Sequence, residues 1–359
     1  MQFPVPTLSC RYSYILTIAG GFQQIRQLAS PPSCSTTVLT LSTGRRWPPP
    51  PITQVLGRAF DSLGPCRRPG RRPIMCIAAW AWQCHPAHRL LLLFNRDEYH
   101  SRPTQPAQWW EAGVDGKEIL GGRDELGGGT WMGCTRDGKL AFLTNVREPS
   151  SLVGAKTRGE LPVRFLQGNH GPLEYAAEIA NEADQYNGFN LILADVSSGT
   201  MVYISNRPGG APVIQTIPPG FHVLSNAAID SPWPKALRLG QSFKRYVATY
   251  DDAKVPLKQM VEELMMDTVR ADRAMVPDTG VDPEWEYELS SIFIDTTKGQ
   301  ARYGTRSMAA LAAKLDGEVT LYERYLESNL WKENIVQFQI EEAQQDSRGT
   351  SEYAQRLID

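Results

Sequence analysis

Two neighbouring stretches, MCIAAWAW at residues 75–82 and RLLLLFNRDE at residues 89–98, decide the fold of this chain. The first predicts a strand over 76–82, and the run 89–94 predicts a second strand that is apolar on both faces and therefore buried on both. Four polar residues, 95–98, follow this buried strand directly. Charged groups in such a place must be paired or functional, so the end of the second strand is a candidate site.

Cys76 directly follows an initiator-type methionine, Met75. If the chain began at Cys76, its thiol would lie beside its own α-amine, whose ordinary pKa of about 7.7–8.0 suits a base near neutral pH. This pattern is typical of an N-terminal nucleophile. The alternative is a small buried cysteine in a strand with no chemical role.

Residues 1–74 differ in composition from everything that follows. They contain nine arginines, no lysine and one acid, a net charge of +8, whereas residues 75–359 carry 28 basic and 38 acidic residues, a net of −10. The segment is rich in Ser, Thr and Pro and buries too little apolar surface to offset the entropy of ordering, so we predict a disordered extension. An organellar transit peptide, translated upstream sequence in a mistaken gene model, and a removable pro-segment all remain open.

Residues 75–359 have room for one large domain or two small ones. Their three cysteines show no paired spacing, which argues against a disulfide scaffold or a structural zinc site. The net charge of −10 argues against nonspecific nucleic-acid binding, because nucleic acid is itself negatively charged. No stretch reaches the ~20 apolar residues of a transmembrane helix.

Hairpin strands fall into two groups, with helices between them. We predict strands over 131–135, 140–145, 189–196, 200–205, 221–224, 290–295, 306–314 and 319–325, and helices over 173–186, 234–247 and 256–268. This arrangement predicts an α+β fold. No glycine-rich loop precedes a helix in the way that a phosphate-binding loop requires.

The order of short motifs along residues 75–335 resembles the NRDE family, also called the transport and Golgi organisation family, and its plant members most. The motifs are MCI at 75–77, NRDE at 95–98, SRP at 101–103, GGTW at 128–131, TNVRE at 144–148, YNGFN at 186–190, SNR at 205–207, LSN at 224–226, PWPK at 232–235, SSIF at 290–293 and YGTRS at 303–307. Residues 1–74 lie outside the resemblance. The family is similar in turn to the N-terminal nucleophile hydrolases that cleave amides of bile acids and acyl amino acids.

The resemblance implies a four-layer αββα sandwich over residues 75–335. Composition predicts the disordered extension over 1–74 and a polar tail over 336–359. The resemblance also implies a set of candidate catalytic residues, namely Cys76, Arg96, Asp97, Asn145, Asn226 and Arg306.

By this resemblance the thiolate of Cys76 attacks an acyl carbonyl, Arg96 lowers the pKa of the thiol, and Asp97 holds the α-amine. In the hydrolases the corresponding Arg and Asp are spaced apart, whereas here they are adjacent. A structural ion-pair network formed by Arg96, Asp97 and Glu98 is the alternative.

Asn145 and Asn226 correspond to groups that bind the oxyanion or position the substrate amide, and Arg306 corresponds to a late arginine of the hydrolase site. Ordinary turn chemistry is the alternative for both asparagines, and an ion pair with Glu98 is the alternative for Arg306.

Two functions follow from the resemblance. The first is a role in Golgi organisation and protein secretion, with intracellular handling of haem or lipid. The alternative is a cysteine amidohydrolase or acyltransferase that acts on a small acyl substrate. No cofactor is required, haem is a candidate cargo, and a small acyl molecule, lipid or haem is the expected partner. The expected location is the cytoplasm, with association at the Golgi or peripherally with membranes, or the mitochondrion or plastid if residues 1–74 are a transit peptide.

Overall fold

The computed structural model describes residues 14–19, 22–27, 75–110, 117–250 and 254–341. Within the N-terminal extension it describes one antiparallel hairpin, β1 (Tyr14–Ala19) with β2 (Phe22–Gln27). The rest of the predicted disordered extension lies outside the described residues, as does the end of the predicted tail. Pro69–Asp359 forms a separate compact unit, to which the following description applies.

The described strands of this unit form two antiparallel sheets. The strands of sheet I are β3 (Cys76–Trp82), β4 (His88–Tyr99), β12 (Gly220–Leu224), β13 (Asp295–Lys298), β14 (Ala301–Lys314), β15 (Glu318–Glu327) and β16 (Leu330–Gln339). Those of sheet II are β5 (Thr104–Trp109), β6 (Leu120–Asp124), β7 (Met132–Cys134), β8 (Lys139–Asn145), β9 (Phe189–Asp195), β10 (Thr200–Ser205) and β11 (Val213–Thr216). Sheet I has the order β12–β3–β4–β14–β15–β16, with β13 pairing β14, and sheet II has the order β11–β10–β9–β8–β7–β6–β5.

The part of this unit that the structure describes has five α-helices: α1 (Glu160–Gln167), α2 (Pro172–Ala180), α3 (Pro234–Val247), α4 (Leu257–Leu264) and α5 (Pro283–Glu288). Helices α1 and α2 pack on the outer face of sheet II around Phe165 and Tyr175. Helices α3 and α4 pack on the outer face of sheet I around Phe243 and Met260. The layers therefore run helix, sheet, sheet, helix, and the predicted α+β, four-layer αββα sandwich is confirmed.

Alternation along the first two strands of sheet I explains why they are buried on both faces. Trp80 and Phe94 point into the core between the two sheets, where both ring systems meet Phe142 of β8 edge to face. The intervening Ala79 and Leu93 point to α3 and α4 instead. A strand that packs against apolar layers on both faces has a continuous hydrophobic sequence, as in the run 89–94.

Most predicted elements are observed, and several bounds need correction. The helix predicted over 173–186 ends at Ala180, and the helix predicted over 256–268 ends at Leu264. The second strand does not end at 94 but runs through the NRDE residues to Tyr99, because β14 continues the ladder beside it. The strand predicted over 290–295 is wrong, since Ser290 closes the turn after α5 and β13 begins only at Asp295.

The predicted domain bounds, 75–335, stay a prediction, although a strand runs past residue 335. Strand β16 continues to Gln339 because its alternate residues Val336 and Phe338 pack into the core between the sheets. None of the helices among the described residues is long and apolar enough to cross a membrane.

Candidate active site

One end of the sandwich collects the polar ends of several strands. The start of β3, the last residues of β4, the end of β8 and the turn after β12 meet there, as the hydrogen bonds below show. These elements carry five of the six predicted site residues, and β14 carries the sixth, Arg306.

Cys76 and Arg96 form a directly opposed pair across β3 and β4. The backbone N–H of Asp97 donates to the carbonyl of Met75 at 3.2 Å, so Cys76 and Arg96 occupy the closer, non-hydrogen-bonded type of pair. Both side chains lie on the face between the sheets. The guanidinium carbon of Arg96 lies 4.1 Å from the centre of the Trp131 ring, and this stacking holds the charge beside the thiol.

Strand alternation separates the two adjacent charges of the NRDE motif. Arg96 and Glu98 point between the sheets, where Arg96 Nη2 lies 3.8 Å from Glu98 Oε2. Asn95 and Asp97 point to the helical layer on the other side. Because Arg96 and Asp97 are adjacent in sequence, they lie on opposite faces of the strand.

Asn95 is a structural anchor. Its buried Nδ2 donates to the carbonyls of Met265 at 3.0 Å and Ile292 at 3.1 Å, which fixes the segment after α4 and the loop before β13 against the strand.

Asp97 faces Thr305 and Lys235 on the helical side of the strand. The hydroxyl of Thr305 donates to Asp97 Oδ1 at 2.7 Å. Burial raises the pKa of the Asp97 carboxyl, against the opposing effects of Lys235 and Thr305. Burial likewise lowers the pKa of the Lys235 ammonium, against the effect of Asp97. The predicted role of Asp97 as holder of the α-amine stays a prediction.

Met75 directly precedes Cys76 and is buried on the helical side of sheet I in the full chain. Its backbone N–H donates to the hydroxyl of Tyr303 at 2.5 Å, and its side chain is buried with Trp285 and Leu289. Burial, followed by the charge of Asp97, raises the pKa of the Cys76 thiol to about 12. The full chain therefore holds Cys76 as a covered, neutral thiol whose nitrogen is part of a peptide bond.

Asn145 and Asn226 lie together beside Cys76. Asn226 Nδ2 donates to the backbone carbonyl of Asn145 at 2.7 Å. The hydroxyl of Ser225 donates to the carbonyl of Cys76 at 3.1 Å and lies 3.1 Å from Asn226 Oδ1. Ser225, which the sequence reasoning did not single out, thus connects the cysteine to the asparagine pair.

Arg306 sits at a bulge in β14, between Thr305, which pairs with Asp97, and Ser307, which pairs with Arg96. Its Nη1 donates to the carbonyl of Arg102, to the carbonyl of Tyr99 at 3.3 Å and to Thr104 Oγ1 at 3.3 Å. The described hydrogen bonds of Arg306 therefore tie the loop after β4 to β14.

Further buried charges were missed, among them two cations near this site. Arg147 Nε donates to Glu286 Oε1 at 2.7 Å, and both side chains are almost fully enclosed. Lys235, at the start of α3, donates to the carbonyl of Leu289 at 3.0 Å. Arg147 lies in the TNVRE motif and Lys235 in the PWPK motif, both of which resemble the family. For Lys235, the only sequence signal was a charged residue in an apolar setting.

A family model described as "Transport and Golgi organisation 2" matches residues 75–328. The chain belongs to this family. All six candidate residues fall inside the matched range, and residues 1–74 precede it.

Named relatives agree with this assignment. The "Transport and Golgi organization 2 homolog" of Mus musculus is 32% identical over 283 residues, which cover 74% of this chain and 100% of that protein. The "Transport and Golgi organization protein 2" of Drosophila melanogaster is 23% identical over 275 residues, covering 69% of this chain and 91% of that protein.

Solved structures similar to this family member include hydrolases. A variant of conjugated bile acid hydrolase from Clostridium perfringens has a TM-score of 0.40 at 9% identity, over 74% of this chain and 97% of that one. Penicillin V acylase from Agrobacterium tumefaciens has a TM-score of 0.35 at 12% identity, over 74% and 86%. Scores of this size add nothing to what the layers themselves show.

The described residues of this family member contain no group of three or more His, Cys, Asp or Glu side chains arranged to hold a metal ion. The chemistry available at the site is that of a thiol, charges and amides.

Proposed function

We propose that this protein acts in transport and Golgi organisation, and that it does so through cysteine chemistry on a small acyl substrate. The family membership supports the first part. One observation carries the second: Cys76, Arg96 and the Asn145–Asn226 pair converge at one end of the sandwich.

In a chain that begins at Cys76, the free α-amine takes the proton of the thiol. The sulfur then attacks the carbonyl carbon of an acyl amide, and the C–N bond breaks as the amine leaving group receives that proton. The acyl group stays on sulfur as a thioester until water, or another acceptor, displaces it. Hydrolysis and acyl transfer differ only in this last step.

Each neighbouring group has a physical role in this sequence. Arg96 favours the thiolate by its charge, which opposes the effect of burial on the pKa of the Cys76 thiol. Asn226 follows Ser225, which is bonded to the Cys76 carbonyl, and its buried amide is a donor of the kind that stabilises a developing oxyanion. Removal of Met75 is the condition for all of this, because in the full chain the nitrogen of Cys76 is in a peptide bond with Met75.

A labelling experiment tests the chemistry. A chain expressed from Met75, processed to a free Cys76, is treated with an acyl electrophile probe next to the full chain. We expect the probe to label Cys76 in the processed chain. In the full chain we expect no labelling of Cys76.

Cys76→Ala should abolish this labelling, and the exposed free cysteine gives the matched control, Cys84→Ala, which should retain it. Labelling that survives Cys76→Ala would refute the proposed chemistry. Rescue of secretion in cells lacking the endogenous family member, with and without Cys76→Ala, then tests whether the chemistry serves transport.

Haem and lipid as cargo, and the cytoplasmic, Golgi-associated or organellar locations, stay predictions. Titration of the full chain with haem would support haem carriage by a Soret change, and no change at micromolar protein would count against it.

A further inference from the structure

The last residue of the YNGFN motif, Asn190, lies at the site end of the core between the two sheets. It is directly opposite Thr144 across β8 and β9, and both residues are fully buried. Two positions further along the same face of each strand, Phe142 and Ile192 belong to the apolar core. The inner face of sheet II therefore changes from apolar to polar where it approaches the candidate active site.

Hydrogen bonds occupy both ends of the Asn190 amide. Its Oδ1 accepts from the hydroxyl of Tyr203 at 2.8 Å. Its Nδ2 donates to Thr144 Oγ1 at 3.2 Å and to the carbonyl of Ala227 at 2.8 Å. The hydroxyl of Thr144 in turn donates to the carbonyl of Ser225 at 2.5 Å. Side chains of β8, β9 and β10 thus form one buried network that ends on the turn after β12.

This turn, residues 225–227, is held at each of its three carbonyls. Besides the two bonds from the network, the carbonyl of Asn226 accepts from the backbone N–H of Arg147 at 2.7 Å. Strand β12 itself ends at Leu224, so the ladder of sheet I does not reach the turn. The position of the turn relative to Cys76 therefore depends on donors from β8, β9 and the residue pair that follows β8.

Stability alone does not require polar side chains at these positions. Burial of an amide or a hydroxyl costs free energy that its hydrogen bonds offset, and apolar side chains of similar shape can be equally stable there. What a fully bonded network adds is a single fixed geometry. Here the fixed element is the turn that carries the proposed oxyanion donor, Asn226.

We infer that Asn190 and Thr144 are positioning residues for acyl transfer to Cys76. They act through the turn 225–227, which holds the Asn226 amide in place. The inference rests on the proposed function, because it concerns the same reaction and assigns neither residue a contact with the substrate. Loss of either donor should slow the acylation step without weakening the binding of the acyl compound.

Acylation kinetics test this role. A chain that begins at Cys76 is mixed with p-nitrophenyl acetate, and the burst of nitrophenolate is followed over a range of ester concentrations. Asn190→Ala and the shape-conserving Thr144→Val should each lower the acylation rate at saturating ester by about tenfold or more. The half-saturating ester concentration should change by less than about twofold. The pH midpoint of the rate should not move, because neither residue is charged.

A double variant distinguishes positioning from a general effect on the fold. Asn226→Ala should lower the same rate, and combining it with Asn190→Ala should lower the rate by no more than about twofold further, because Asn190 acts through Asn226. Reductions that multiply in the double variant would overturn the inference. An unchanged rate in Asn190→Ala would overturn it as well.

Asn206→Ala is the matched control. Asn206 directly follows β10 and is also buried, and its amide accepts from the backbone N–H of Phe189 at 2.8 Å and donates to the carbonyl of Ala183 at 2.9 Å. These bonds fix another part of the chain, so the variant should lose stability and retain the acylation rate. An equal fall in rate for Asn206→Ala would assign the effect to lost stability and contradict the inference.

Amide hydrogen exchange in the full chain tests the turn without any chemistry at Cys76. In Asn190→Ala, the backbone N–H of Arg147 should exchange about tenfold faster or more, relative to that of Ile192 in the middle of β9. Equal acceleration of both amides, or of neither, would overturn the positioning role.

These measurements separate the two proposals. A chain with a free Cys76 that accepts no acetyl group would refute the cysteine chemistry, and the exchange rates would still decide whether Asn190 fixes the turn. Acylation that is insensitive to both Asn190→Ala and Thr144→Val would refute the positioning role alone.

Discussion

Strand β4 presents two kinds of polar surface, one on each side. On the helical side, Asn95 donates to two fixed backbone carbonyls, and Asp97 accepts from Thr305. On the side between the sheets, Arg96 stacks on Trp131 and has only a long contact with Glu98, and its Nη1 lacks a hydrogen-bond partner among the described residues.

The difference shows how one motif combines two tasks. Hydrogen bonds to backbone carbonyls fix the geometry of the loops that surround the strand end. A charge held by stacking rather than by a close ion pair keeps its field available to a neighbour, and the neighbour here is the Cys76 thiol. Asn95 is thus expected to affect stability most, and Arg96 to affect the chemistry of Cys76 most.

The largest expected effect is on the anchoring side. Asn95→Ala leaves the buried carbonyls of Met265 and Ile292 without their donor, which should lower the free energy of unfolding by about 2–4 kcal/mol. Urea denaturation of the full chain measures this loss. Asn181→Ala, which removes an exposed bond to the carbonyl of Ala177, is the matched control and should change little. Similar losses in both variants would contradict the anchoring role.

The next effect concerns a carboxyl on the other side of β4. Glu323 of β15 accepts from the backbone N–H of Ala107 at 2.6 Å, and burial raises its pKa from 4.5 to about 7. A carboxyl with a raised folded pKa stabilises the fold below its unfolded pKa, and this contribution is lost as pH rises through the folded value. The loss should be on the order of 3 kcal/mol between about pH 4.5 and 7.

Glu323→Gln keeps an acceptor for Ala107 but cannot titrate. Its free energy of unfolding, measured by urea denaturation across this range, should fall less with rising pH than that of the unsubstituted chain. Parallel curves for the two proteins would show that Glu323 does not titrate differently on folding.

The smallest effect sharpens the role of Arg96. Arg96→Gln should slow probe labelling of a free Cys76 on the order of tenfold, because loss of a neighbouring positive charge raises the thiol pKa by about one unit or more. The control is Arg102→Gln, which removes the partner of Asp124 and lies one step further from the thiol. Equal slowing in both variants would assign the effect to the charge cluster as a whole rather than to Arg96.

The sequence predicted most of the strands and helices because the hydrophobic pattern is local. The strand over 76–82 and the helix over 234–247 have their predicted bounds, since an apolar run in the first and a proline-initiated apolar period in the second need no partner to be recognised. The strand wrongly predicted at 290–295 has an apolar run too. There, however, the hydroxyl of Ser290 donates to the carbonyl of Tyr287, and the backbone N–H of Phe293 donates to the carbonyl of Asp267.

Sequence alone determined the α+β class, the family resemblance, the break near residue 75 and the cluster of charged residues after the second apolar run. Each depends on composition, order or short-range periodicity, which the chain carries without folding. Only the tertiary structure decided which charges meet. It placed Arg96 and Asp97 on opposite faces of β4, brought Lys235 and Arg147 to the same end of the sandwich, and bonded the backbone of Met75 to Tyr303. These contacts join residues far apart in the chain, so they arise from sheet register and layer packing rather than from any local pattern.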